Sequence, residues 1–266
     1  MFKFSYISHL ILIIFVPLWA TGQSIQSPIE GIMATGKQIA QVRFMLEVYS
    51  SIGAGIKYQT PKKKLKNAIN AYEETVESLQ KNMNDPAIQT AVQKSLSAWP
   101  PVKKALLTAL EERDSNAMKK EALFVHENIR TVIKEMEVMK DLFLKKANTP
   151  KVREINAGIE IAASARRLSS HYMLKMWEVP DPTIQKHWDN GMTKYHTAIT
   201  TLQKSPAIND PKIAVWLKTC AKEYGFFQTV IGFDRYVPVL VQRHAQKAYE
   251  AAGKIVMKLL GHTDTP

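Results

Sequence analysis

The chain has 266 residues, 36 Lys and Arg against 24 Asp and Glu, a formal net charge of +12, and 45% apolar residues. That balance suits one or two packed domains and excludes a disordered or collagen-like chain. Lysines alternate with glutamates and no arginine-rich cluster with interleaved aromatics occurs, so the excess charge reads as solvated helix faces and not as a nucleic-acid footprint. Acidic polymers, anionic lipid or small anions are the partners a basic exported chain would otherwise meet.

In chain order, Lys3, the apolar run Leu10 to Phe15 and the small-x-small site Ala20-Thr21-Gly22 read as an export signal over residues 1–22, cleaved before Gln23. The run is short for a bilayer span of about 20 residues. The expected location is therefore periplasmic or secreted, the alternative being a chain anchored in the membrane by an uncleaved N-terminal segment. Every later apolar run is interrupted by charged residues.

The remainder is written twice. Ile32 to Lys81 lies over Ile155 to Lys204 without a gap, at an offset of 123 positions, with Ala40/Ala163, Arg43/Arg166, Tyr49/Tyr172, Asn67/Asn190 and Tyr72/Tyr195 among the identities. Two residues later the match resumes, Asn84 to Ile88 over Asn209 to Ile213, with Trp99 over Tyr224. A chain of two diverged copies is the direct reading.

Apolar residues recur at three and four spacing, and no alternating stretch is long enough for a sheet. The expected helices run from Pro28 to Ala54, Pro61 to Asn82, Pro86 to Arg113 and Ser115 to Ala147 in the first copy. In the second they run from Lys151 to Val179, Pro182 to Ser205, Pro211 to Phe233 and Tyr236 to Gly261. Asp85-Pro86, Asp181-Pro182 and Asp210-Pro211 each place a capping carboxylate before a proline at the first helical position. Pro100-Pro101 is expected to kink or split the third helix after Trp99. The fold class is thus all-α, two tandem up-and-down four-helix bundles over residues 23–149 and 150–266. Asn148-Thr149-Pro150 is a short break between long helices, and the bundles are expected to stack end to end across it.

Chemistry is sparse. Cys220 is the single cysteine, which excludes an internal disulfide and paired-cysteine haem attachment and leaves it as a small buried residue. None of His126, His171, His187, His196 or His244 follows a glutamate by three positions, so the di-iron pattern is missing, and no zinc spacing, P-loop or nucleophile elbow is visible. The histidines read as surface or boundary residues. No catalytic residue, metal site or cofactor is assigned, and the chain is read as not an enzyme.

Two arginines stand in otherwise apolar or small sequence. Arg166 has Ala162, Ala163, Ser169 and Ser170 at three and four spacing, which leaves room beside its guanidinium for a planar anion. Arg43 has Ile39, Ala40, Leu46 and Glu47, and Glu47 one turn away is placed to neutralise it. The candidate ligand-binding residues are Arg166, Arg43, Ala163, Ser169 and Ser170, with Arg166 expected to carry more of the function. A snorkelling or internally paired arginine is the competing reading.

At these residues the sequence resembles the PilJ/NarX-type sensor domain, the extracytoplasmic input module of type IV pilus chemotaxis transducers and nitrate/nitrite sensor kinases. Its first helix carries a motif like I-N-x-A-G-x-x-R-M-L-S-Q-R, and Ile159, Ala162, Arg166, Leu168 and Ser169 match it in place. The first copy keeps Arg43. Ala40 and Ala163 stand where the motif has glycine, and Phe44 and Arg167 where it has methionine. The resemblance implies four-helix bundles and an anion held by the motif arginine at a symmetric dimer interface, with a homodimer as candidate assembly. No kinase, HAMP or methyl-accepting segment is visible, so a membrane-bound signalling partner is expected to receive any signal. The resulting expectation is an exported, non-enzymatic, sensor-like binding protein for a small anion. The alternative is a structural or interaction protein whose ancestral ligand site has decayed.

Overall fold

The computed structural model describes Ile25 and residues 27–82, 84–111 and 114–261; the export signal read over residues 1–22 lies outside these. The described residues form eight α-helices, α1 (Pro28–Gly53), α2 (Pro61–Asn82), α3 (Pro86–Thr108), α4 (Ser115–Lys146), α5 (Val152–Met176), α6 (Ile184–Gln203), α7 (Pro211–Val230) and α8 (Pro238–Leu259), with a 3-10 turn at Pro206–Asn209. The expected all-helical class is the one observed.

The starts follow from local chemistry. Ser27 and Glu30 form a reciprocal capping box ahead of α1, the Ser27 hydroxyl accepting from the Glu30 amide and the Glu30 carboxylate from the Ser27 amide. Asp85 and Asp210 accept from the amides two and three residues on, a cap worth about 1 kcal/mol each. Asp181 departs from that pattern. Its Oδ1 accepts from the Thr183 amide and hydroxyl, and α6 begins only at Ile184. Pro100 and Pro101 do not split α3, which runs unbroken through them. Both prolines are exposed, so water can reach the carbonyls whose helical donors they remove.

Helices α1 to α4 touch in ring order, as do α5 to α8, and α1 also packs along α5. The repeat is visible in the packing, because Tyr72 packs at a tilt on Trp99, 4.2 Å between centroids, while its counterpart Tyr195 meets Tyr224 at 5.5 Å. End-to-end stacking is not what the chain adopts. Residues 147–151 turn between α4 and α5, and α1 and α5 lie side by side in one continuous core. The reason is in their composition: both helices are buried around most of their circumference, so each needs a partner on more than one face. Glycine permits the approach, since a Cβ on Gly36 would sit 2.3 Å from Ile159 Cγ2 and one on Gly53 2.1 Å from the Trp177 ring.

Candidate functional site

The α1/α5 seam is parallel and in the register of the repeat. Gly36 meets Ile159, its own counterpart at the 123 offset. Arg43 lines a cavity with Arg167, and Phe44, the counterpart of Arg167, lies against Arg166, the counterpart of Arg43. Exchanging the copies therefore carries one side of the seam onto the other. The two sides differ in content.

On one side α1, α4, α5 and α6 enclose a cavity of about 440 Å³. Arg43, Arg130, Lys134, Arg167 and Lys194 line it with Ser170, Asn190, Thr193 and the imidazoles of His126, His171 and His187, against one carboxylate, Glu137. Glu137 is shared, 4.0 Å from Arg167 Nη2 and 3.7 Å from Lys194 Nζ. Arg43 is 8% exposed, and its Nε has no hydrogen-bond partner among the described residues. Burial, and then the Arg167 guanidinium, lower its pKa from the ordinary 12.5 to about 9. A buried cation held beside a second cation, with a donor unspent, is poised for an anion.

The histidines form a chain at the cavity wall. Asp181 Oδ2 faces His126 Nδ1 at 2.5 Å, His126 Nε2 faces His171 Nε2 at 3.1 Å, and His171 Nδ1 faces the Arg167 carbonyl at 2.7 Å. His187 packs edge-on to His126 and stacks with His171 at 5.4 and 5.5 Å, and its Nε2 is buried without a partner. A carbonyl and a carboxylate at the two ends both accept, so the fully bonded chain holds one proton more than two neutral imidazoles carry. Burial lowers the pKa of His126 and, well below the usual range, that of His171, where the charges of His126 and Arg43 add to it. Burial, with His126 and Arg130 adding to it, brings His187 to about 4. Burial presses the Asp181 carboxyl upward, yet hydrogen bonds from Thr183 and the pairing with His126 hold it below the usual value. The expectation that these histidines are surface or boundary residues holds for the half-buried His187 and is corrected for His126 and His171, which are buried, bonded to Asp181 and the Arg167 carbonyl. Among the described residues no group of His, Cys, Asp or Glu has the geometry to hold a metal ion.

On the other side Arg166 is satisfied from within. Glu47 Oε2 lies 3.4 Å from its Nη1, Gln246 Oε1 accepts from Nη2, and the Phe44 and Tyr249 rings flank the guanidinium at 4.4 and 5.0 Å. Glu47 is 1% exposed. Burial raises its pKa, opposed by Arg166 and by the Ser169 hydroxyl beside it.

Of the residues expected at the site, Arg43 and Ser170 line the cavity. Ser170 donates to the Arg167 carbonyl, Ser169 and Arg166 belong to the closed side, and Ala163 is buried on α5. The pairing expected for Glu47 is corrected. Glu47 crosses the seam to Arg166 and leaves Arg43 without a carboxylate of its own. Arg130, Lys134, Arg167, Lys194 and the histidines went unassigned because three separate helices supply them. Cys220 is buried as expected, its thiol pushed up to about 12 by burial. Comparison with protein-family models, curated proteins and solved structures finds no match to this chain.

Proposed function

We propose that this chain is an exported, non-enzymatic anion-binding protein whose site is the cavity between Arg43 and Arg167. The observation that carries the reading is Arg43, buried with its Nε unpartnered, at the wall of a cavity lined by five cationic side chains and one carboxylate. The ligand class follows from size and charge. A cavity of about 440 Å³ has room for more than a planar monoanion. Arginine forks together with serine and threonine hydroxyls suit a polyvalent oxyanion, such as a small molecule bearing two or more carboxylate or phosphate groups.

In this reading the repeated unit is a four-helix bundle of the sensor type that its motif resembles. The α1/α5 seam takes the place of the homodimer interface, so both halves of the site come from one chain. Such a domain passes its state to a separate, membrane-bound partner. The described helices fit that division of labour, as none is long and apolar enough to cross a membrane.

A thermal-shift panel of nitrate, sulfate, phosphate, succinate and citrate tests the reading on the wild type, Arg43→Met and Arg167→Met. Stabilisation by the polyvalent members, lost in both variants, is expected. No stabilisation of the wild type by any member leaves the structural or interaction reading in its place.

A further inference from the structure

The two sides of the seam are one site written twice, and around the shared arginine they differ at two paired positions. At the 123 offset Arg43 corresponds to Arg166, Phe44 to Arg167, and Glu47 to Ser170. Ser170 lines the open cavity beside Arg43 and Arg167. In the place equivalent to that serine, the other side carries a carboxylate, 3.4 Å from the arginine equivalent to Arg43.

We infer that Glu47 is a built-in ligand: its carboxylate occupies at Arg166 the position that a free anion takes at Arg43, so the chain holds one open and one self-closed anion site. The inference rests on the reading of the Arg43 cavity as an anion site. What makes the closed side a site, and not merely an ion pair, is its construction. Arg166 is 5% exposed, lies between two aromatic rings, takes an amide oxygen from Gln246, and has the Ser169 hydroxyl beside its carboxylate partner. These groups orient a guanidinium toward one oxyanion, which here is tethered. Phe44 stands where the open side has Arg167, so the tethered carboxylate is faced by Arg166 and by the charge of Lys64.

The chemistry predicts which molecule can replace the tether. Glu47→Ala removes one methylene and a carboxylate, a volume and charge that acetate reproduces and that propionate exceeds by one carbon. That variant leaves Arg166 buried without its charge partner and is expected to unfold at a lower temperature than the wild type. Acetate, supplied in excess over its dissociation constant, is expected to raise its midpoint by about 5 °C, and to do much less for the wild type, whose carboxylate is already in place.

The experiment is a thermal-shift series with acetate, propionate and methylammonium chloride as salt control, on wild type, Glu47→Ala and Glu47→Ala/Arg166→Met, with Ser170→Glu as the mirror variant. Rescue of Glu47→Ala by the carboxylates, absent from the double variant, is the expected result. Ser170→Glu is expected to close the open side, raising the midpoint without added anion and removing the sulfate or citrate response. Carboxylates that rescue Glu47→Ala no better than the salt control, or that rescue the double variant equally, overturn the inference. So does a Ser170→Glu protein that keeps the full anion response of the wild type. A wild type that binds no free anion refutes the open-site reading alone, because acetate rescue at Arg166 is read without reference to the Arg43 cavity.

Discussion

Arg43→Met separates stability from binding at a single position. The fall in the Arg43 pKa from 12.5 to about 9 corresponds to about 5 kcal/mol against its charged form inside the fold. The sign follows from linkage. A base whose folded pKa lies below its unfolded one destabilises the fold wherever it is protonated in both states, that is, below about 9, and the penalty fades as pH rises from there toward 12.5. Methionine has a similar unbranched stem and no charge, and apolar replacement of buried ionic groups has gained about 1 to 4 kcal/mol elsewhere. A gain of about 2 to 4 kcal/mol is therefore expected near neutral pH, or roughly 5 to 10 °C in Tm for a chain of this length. Anion binding moves the other way, weakening at least about ten-fold with the loss of a charged hydrogen-bonding partner. Thermal unfolding without anion and calorimetry with sulfate or citrate read the two effects. A variant less stable than the wild type that binds anion normally would refute the reasoning, since Arg43 would then be a structural cation.

Three further outcomes are expected. As pH falls from 6.5 toward 4, the wild type without anion loses stability, because the unfolded imidazoles take protons before His187, His171 and His126 do, while anion affinity rises toward the foot of that range, as His187, faced by His126, Arg130, Asp181 and Arg167, gains its charge near 4. Unfolding and binding titrations over that range check it, and a flat stability profile or a falling affinity contradicts it. Gly36→Ala forces a methyl against Ile159 and is expected to destabilise by about 1 to 3 kcal/mol, with Ile159→Ala restoring part of the loss in a double-mutant cycle. Additive losses would mean that the seam is looser than described. Pro100→Ala is expected to stabilise by about 2 kcal/mol, the roughly 3 kcal/mol helix penalty of proline less what its stiffness takes from the unfolded chain; an unchanged denaturant midpoint would show that α3 has adapted to the ring.

The helices were legible because their signals are local: a carboxylate before a proline, and apolar residues at three and four spacing. The pairing of α1 with α5 was legible only in part. The repeat offset contained the register of the seam, but nothing in the spacing says whether two similar units stack or lie side by side. Burial around most of each helix decides that, and it emerges only with neighbours in place. Glu47 illustrates the limit of i,i+4 reasoning. It stands one turn from Arg43, yet the two residues straddle the seam and face opposite sides of α5. Asp181 read as a helix cap and proved to hold His126 as well, a role hidden because the imidazole arrives from a helix 55 positions away.

The location of a bound anion tests the account most directly. Crystals grown or soaked with selenate, a sulfate analogue with an anomalous signal, are expected to show one strong peak within hydrogen-bonding distance of the Arg43 and Arg167 guanidiniums, and none at Arg166, where Glu47 stands. An empty Arg43 cavity at saturating selenate, or a peak at Arg166 in the wild type, would contradict it.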